Sequence, residues 1–226
     1  KQAPSKTLIF KLAAIAHYKI QGNGSCGDIA ACTYGGWLSY TSFDQPWLLE
    51  QLQTASVSEL VAKEWPLLHV LPLKAPTPYF CVGWTGSPAG TKGLVSLIQT
   101  YLAHSPQALK HFLTTSDACV DKFAQGIIEN NTTLLKEALL TNRRLLKALG
   151  KKADVPIETP LLTTLCDLSF QVGGFGKTSG SGGGDCGIAF VPTAEMSKKL
   201  YKRWLAAGIK PLDFKEGRVS IEVIED

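Results

Sequence analysis

With 226 residues, 45% of them hydrophobic, the chain is long enough for one large domain or two small ones around a real core. The formal charge of +4 comes from scattered lysines and arginines, clustered only briefly at Arg143-Arg144, Lys151-Lys152 and Lys198-Lys199. That pattern argues against nucleic acid as a partner, which calls for a basic stripe, and suits small anionic molecules. No run approaches the roughly 18 apolar residues of a membrane span, so no membrane partner is expected.

Lys1 to Lys6 carry no signal-peptide core. The six cysteines (26, 32, 81, 119, 166 and 186) include no CxxC pair, so no protein-held metal is expected. A chain of this size does not need disulfides, and reduced thiols in the cytoplasm are the expectation. The first residue is not Met and helical spacing starts almost at once, as if a preceding portion were missing.

In chain order, Leu8, Leu12, Ile15 and Ala16 predict a helix over Thr7–Gln21, stopped by Gly22-Asn23-Gly24. Ser25-Cys26-Gly27-Asp28 leads into a short apolar stretch, Ile29–Thr33. Gly36–Phe43 reads as a strand, Pro46–Gln53 as a short helix or loop, and Val57–Val61 as ambiguous. Leu67–Leu73 and Tyr79–Trp84 read as buried strands. A turn at 85–90 precedes a helix from Thr91 to His104, and helices follow over Pro106–Gly126 and Thr132–Leu149. Leu161, Leu165, Leu168 and Val172 mark another helix, ending at Gly173-Gly174. After a glycine-rich turn come a strand at Ile188–Val191, a helix at Thr193–Ala207, and strands at Ile209–Phe214 and Arg218–Ile224. Strands near both ends with helices between them imply an α+β fold, an antiparallel sheet covered by helices on one face.

Two segments carry candidate chemistry. In Gly176-Lys177-Thr178-Ser179-Gly180-Ser181-Gly182-Gly183-Gly184-Asp185-Cys186-Gly187, glycines allow close backbone approach and can aim N–H groups at an oxyanion, and Lys177 adds a point charge. A flexible linker is the bland alternative, but linkers rarely sit between a periodic helix and a buried strand. A P-loop fails, because that loop follows a strand and opens a helix, whereas here the reading is helix, turn, strand. In Gly22-Asn23-Gly24-Ser25-Cys26-Gly27-Asp28, Asp28 could be a plain helix cap, yet three glycines around it suggest a ligand near the backbone. Thr85–Lys92, a loop after a strand, is weak by itself. His17, His69, His104 and His111 show no ligand spacing, and the five tryptophans read as core.

Together these residues resemble the GHMP kinase superfamily. Lys177–Gly187 is similar to its glycine-rich motif, Ser25–Asp28 to the turn of its catalytic aspartate, and Thr91-Lys92 to a Thr-Lys pair of its mevalonate-pathway members. Gly24–Ala31 with Tyr34-Gly35-Gly36-Trp37, and Gly184–Ala189, are most similar to the phosphomevalonate kinase branch. The superfamily's N-terminal substrate segment and its Pro-x-x-x-Gly-Leu-Gly-Ser-Ser turn are absent.

The resemblance implies a ferredoxin-like C-terminal domain over 46–226 and a remnant of the N-terminal domain over 1–45. It implies ATP and Mg²⁺ as cofactors and 5-phosphomevalonate as the small-molecule substrate. Asp28 and Lys177 would be catalytic. Ser179, Gly180, Ser181, Gly182, Gly183, Gly184 and Asp185 would bind nucleotide, and Asn23, Gly24, Ser25 and Lys92 the acceptor. Without the missing motifs the chain would have little activity alone, and exposed apolar surface could drive self-association. Mevalonate kinase, another GHMP kinase and a non-catalytic binding module are the alternatives.

Overall fold

The computed structural model describes residues 3–87, 91–180 and 182–213, the side chains of residues 91 and 92 excepted. The expected strand at 218–224, Ser181, and the side chain of Lys92 therefore lie outside the described residues. The chain forms two compact units that divide between Ala75 and Pro76.

In the first unit, α1 (Lys6–Gln21) starts at Ser5, whose hydroxyl accepts from Leu8 N–H, and stops at Gly22 in the left-handed conformation (φ 72°). Next come α2 (Gly27–Tyr34), β1 (Trp37–Thr41), α3 (Gln45–Thr54), α4 (Val57–Ala62) and β2 (His69–Leu73). Asp44 caps α3, and Ser56 with Glu59 forms a reciprocal capping box on α4. That box settles the ambiguous 57–61 segment as helical. The stretch 29–33 is likewise helix, because Gly35 (φ 70°) ends a continuous turn of chain begun at Gly27.

β1 and β2 form a two-stranded antiparallel ladder, Trp37 opposite Leu73 and Thr41 opposite His69. β2 is largely exposed, not buried as the apolar run implied, since its only partner strand among the described residues is β1. The core gathers Phe10, Tyr18, Phe43, Leu48, Leu60 and Trp65, with Phe43 edge-on to Trp65 at 4.9 Å. Leu48 and Leu60 come from α3 and α4, so residues 46–75 pack with the first unit, whereas the sequence reading placed the junction after residue 45.

The second unit contains β3 (Tyr79–Trp84), α5 (Thr91–Ala103), α6 (Pro106–Ile128), α7 (Thr132–Ala153), α8 (Pro160–Gln171), β4 (Phe175–Thr178), β5 (Cys186–Val191), α9 (Ala194–Ala206) and β6 (Lys210–Leu212). Its antiparallel sheet has the order β4-β5-β3-β6, the ferredoxin-like arrangement of strand, helices, two strands, helix, strand.

One face carries Cys81, Ala189 and Val191 against Leu162, Leu165, Leu200 and Trp204 of α8 and α9. Gly83 and Gly187 sit opposite each other there, and a Cβ on either would approach Leu165 to 2.9 or 2.7 Å. Only glycine lets α8 lie this close. The other face is also covered, which corrects the one-faced expectation: Phe123 of α6 packs on Phe190, which stacks on Phe175.

Candidate active site

The Asp28 turn belongs to the first unit. Three successive carbonyls before it are each taken by a side chain. His17 Nε2 lies 2.9 Å from Asn23 O, Tyr18 OH donates to Gly24 O (2.5 Å), and Tyr40 OH and Ser42 Oγ donate to Ser25 O (2.6 and 3.1 Å). Burial pushes both phenols up to about 12, so they remain protonated donors at neutral pH. Cys26 takes a left-handed φ of 56° with its side chain buried, and burial followed by the charge of Asp28 raises its thiol to about 11. It is a packing residue, not a nucleophile. Asp28 itself stands exposed in the first turn of α2, beside exposed Asn23, Gly24 and Ser25. The sequence singled out these positions but not the side chains that hold them, which act on backbone carbonyls.

The glycine-rich segment belongs to the second unit and is a β-hairpin connection. β4 precedes it, a strand that the sequence reading includes in the glycine-rich turn. Four residues after two glycines are too few to show a period of two. A strand still follows, so the P-loop remains excluded. Lys177 lies on β4, on the Phe175 face, and its Nζ donates to Thr178 O at 2.7 Å. Burial lowers its pKa, opposed by Cys166. Thr178 Oγ1 is buried and has no partner among the described residues.

Most of the hairpin's own amides are occupied. Ser179 N–H donates to Cys186 O (2.9 Å), Gly182 N–H to Ser179 O (3.4 Å), Gly183 N–H to Ile157 O (2.8 Å) and Asp185 N–H to Ser87 O (2.8 Å). Thr85 reaches Asp185 O twice, through N–H (2.8 Å) and Oγ1 (2.9 Å), which gives the 85–87 loop a definite place in the site.

The glycines divide by purpose. A Cβ on Gly182 would fall 2.2 Å from Ile157 O, a backbone atom, so glycine is required there for packing; one on Gly183 would meet only the tip of the flexible Leu94 side chain (Cδ1, 2.1 Å), and its left-handed φ of 80° is the firmer demand. Gly180 (φ 58°) opens on empty space. The amides of Gly180 and Gly184 make no hydrogen bond among the described residues, and Gly184 is buried. A buried donor of that kind calls for an acceptor. Ile157, Leu94 and Ser87 were missed from sequence because they act through backbone or bulk.

Comparison with known proteins defines the class. Residues 123–210 match the family model described as GHMP kinases C terminal. The chain is similar to the GHMP kinases, and the match to their C-terminal model lies within the second unit. Within that class, it is 36% identical over 207 residues to the phosphomevalonate kinase of Streptomyces sp. (strain CL190), covering 90% of this chain and 55% of that protein. A crystal structure of the Lin0012 protein from Listeria innocua superposes with a TM-score of 0.93 at 46% identity, covering 97% of this chain and 62% of that one. Streptococcus pneumoniae phosphomevalonate kinase in complex with phosphomevalonate and AMPPNP superposes with a TM-score of 0.81 at 28% identity, covering 93% and 61%. The chain thus spans little more than half the length of the relatives it matches. Among the described residues, no helix is long and apolar enough to cross a membrane.

Proposed function

We propose that this chain is the larger, C-terminal part of a phosphomevalonate kinase, transferring the γ-phosphoryl group of ATP to the phosphate of 5-phosphomevalonate. The observation that carries the reading is the 36% identity to a phosphomevalonate kinase over 90% of the chain. The amides of Gly180 and Gly184, which have no partner among the described residues, support it physically, since phosphoryl transfer depends on positioning and charge neutralisation. In this reading the hairpin 179–185 cradles phosphate oxygens, Lys177 places a positive charge beneath it, and Asn23, Gly24, Ser25 and Lys92 serve the acceptor.

Among the described residues no three His, Cys, Asp or Glu side chains cluster as a metal cage. Mg²⁺ in phosphoryl-transfer sites is held chiefly by substrate phosphates and water, with one or two carboxylates. On the hairpin the exposed carboxylate is Asp185. Mg²⁺ would supply charge neutralisation for the phosphates.

The acceptor is itself a phosphate, whose second pKa near 6 leaves it mostly deprotonated at neutral pH. Asp28 then orients the acceptor and organises charge, and need not take a proton. Asp28→Asn in the full-length protein is expected to retain activity within about 10²-fold, the low end for general-base loss, with turnover flat above pH 7. A loss of many orders of magnitude would make Asp28 an obligatory base. ADP release measured with 5-phosphomevalonate, mevalonate, galactose and homoserine in parallel tests the reading. Turnover is expected with 5-phosphomevalonate alone.

A further inference from the structure

The segment between α7 and α8 is a short strut fixed along its length. Asp154 closes α7 in the left-handed conformation (φ 53°), Val155 N–H donates to Gly150 O (2.8 Å), and Ile157 N–H donates to Val155 O (2.8 Å). Gly150 is required here, because a Cβ would lie 2.6 Å from Val155 O. Glu158 follows, its side chain only 2% exposed. Arg143 grips both of its oxygens, Nε to Oε2 at 2.9 Å and Nη2 to Oε1 at 2.7 Å. Thr163 Oγ1 (2.9 Å) and Lys147 Nζ (3.1 Å) complete the contacts, and Arg143 also reaches Asp167 at 3.2 Å. A two-pronged guanidinium contact fixes the plane of a carboxylate, not merely its position. Thr159 then caps α8, so the backbone on either side of Glu158 has little freedom.

One residue before Glu158, the Ile157 carbonyl accepts the N–H of Gly183 at 2.8 Å, and Gly182 lies against the same carbonyl. The glycine-rich hairpin therefore hangs on a peptide whose direction is set from the other side by an ion-pair cluster. An apolar side chain could fill the space of Glu158, but it could not fix that direction.

We propose that Glu158, clamped by Arg143 and Thr163, is a positioning residue for the glycine-rich hairpin, holding the Ile157 carbonyl so that the Gly180 and Gly184 amides face a phosphate-bearing ligand. Only the last step rests on reading the hairpin as a phosphate cradle. The link from Glu158 to Gly183 stands on the contacts alone.

The test is amide hydrogen exchange in the ¹⁵N-labelled protein, together with titration by inorganic pyrophosphate followed at the Gly180 and Gly184 amides. Glu158→Gln is expected to speed exchange at Gly183 at least tenfold relative to the β3–β5 ladder, and to weaken pyrophosphate binding at least threefold. Leu200→Ala, a buried change on α9, should speed Gly183 and the ladder in step and leave pyrophosphate affinity unchanged; a mere loss of stability behaves in this way. Thr163→Val, which removes only a hydroxyl contact, carries the same comparison if Glu158→Gln does not fold. Gly183 exchanging in step with the ladder in the Glu158 and Thr163 variants would overturn the proposal. If pyrophosphate moves neither amide in the unmodified protein, the cradle reading fails, while the exchange ratio still decides the link to Glu158.

Discussion

Replacing Gly182 and Gly180 by alanine, separately, distinguishes a glycine needed for packing from one left open to a ligand. Both residues have left-handed φ, 71° and 58°, which costs an alanine about 1–2 kcal/mol. At Gly180 the added methyl meets nothing within 4 Å, so the backbone cost is the whole cost. At Gly182 the methyl would sit 2.2 Å from Ile157 O and 3.0 Å from its carbonyl carbon. Those are backbone atoms of a segment fixed on both sides, and overpacking of this kind adds about 1–3 kcal/mol. Gly182→Ala should therefore cost about 2–5 kcal/mol and Gly180→Ala about 1–2 kcal/mol. Urea unfolding followed by far-ultraviolet circular dichroism measures both, with unchanged slopes as the sign that only stability moved. Equal losses at the two positions would refute the argument, because the Ile157 carbonyl would then be free to move aside.

Thr178→Val removes a buried hydroxyl with no partner among the described residues and keeps the side chain's shape, so stability should hold or rise by up to about 1 kcal/mol; a loss above about 1 kcal/mol would show that Oγ1 has a partner in solution. Burial pushes the Glu158 carboxyl up, but Arg143, Thr163 and Lys147 outweigh it and hold it below the ordinary range. The folded state then binds fewer protons than the unfolded one between its depressed pKa and the ordinary value near 4.3, so this stabilisation is complete above that value and lost as pH falls through the folded pKa. Acid unfolding curves of Glu158→Gln should lack this part of the pH dependence. Exposed Cys32 should react with a thiol reagent well before buried Cys26, Cys81 and Cys166, the last two pushed up by burial to about 11 and about 12; mass mapping after brief labelling that found Cys166 modified first would contradict the packing of α8.

Much of the fold was legible because its signals are local. Leucines at helical spacing marked α7 and α8, Gly22 ended α1, and alternating Tyr, Cys and Gly residues bounded β3 as read. β4 was hidden by its brevity and by its two preceding glycines. β2 looked buried because Val70, Leu71 and Leu73 are apolar, while burial depends on how many strands flank it. The two candidate turns were visible as clusters of glycine beside Asp28 and Lys177. What each glycine does was not visible, since the demand on Gly182 comes from the Ile157 carbonyl, distant in sequence. The tyrosine and histidine contacts that hold residues 23–25 were hidden because they run to backbone carbonyls, which no side-chain pattern marks, and Glu158 because its partner Arg143 lies 15 residues earlier, on α7.

The most direct test of the central claim is ³¹P nuclear magnetic resonance of the full-length protein incubated with ATP, Mg²⁺ and 5-phosphomevalonate. The account predicts loss of the acceptor's phosphomonoester signal and growth of the paired signals of a diphosphate monoester in step with ADP. ADP formed without a new phosphorus–oxygen–phosphorus linkage on the acceptor, or a phosphate placed instead on the hydroxyl of mevalonate, would contradict it.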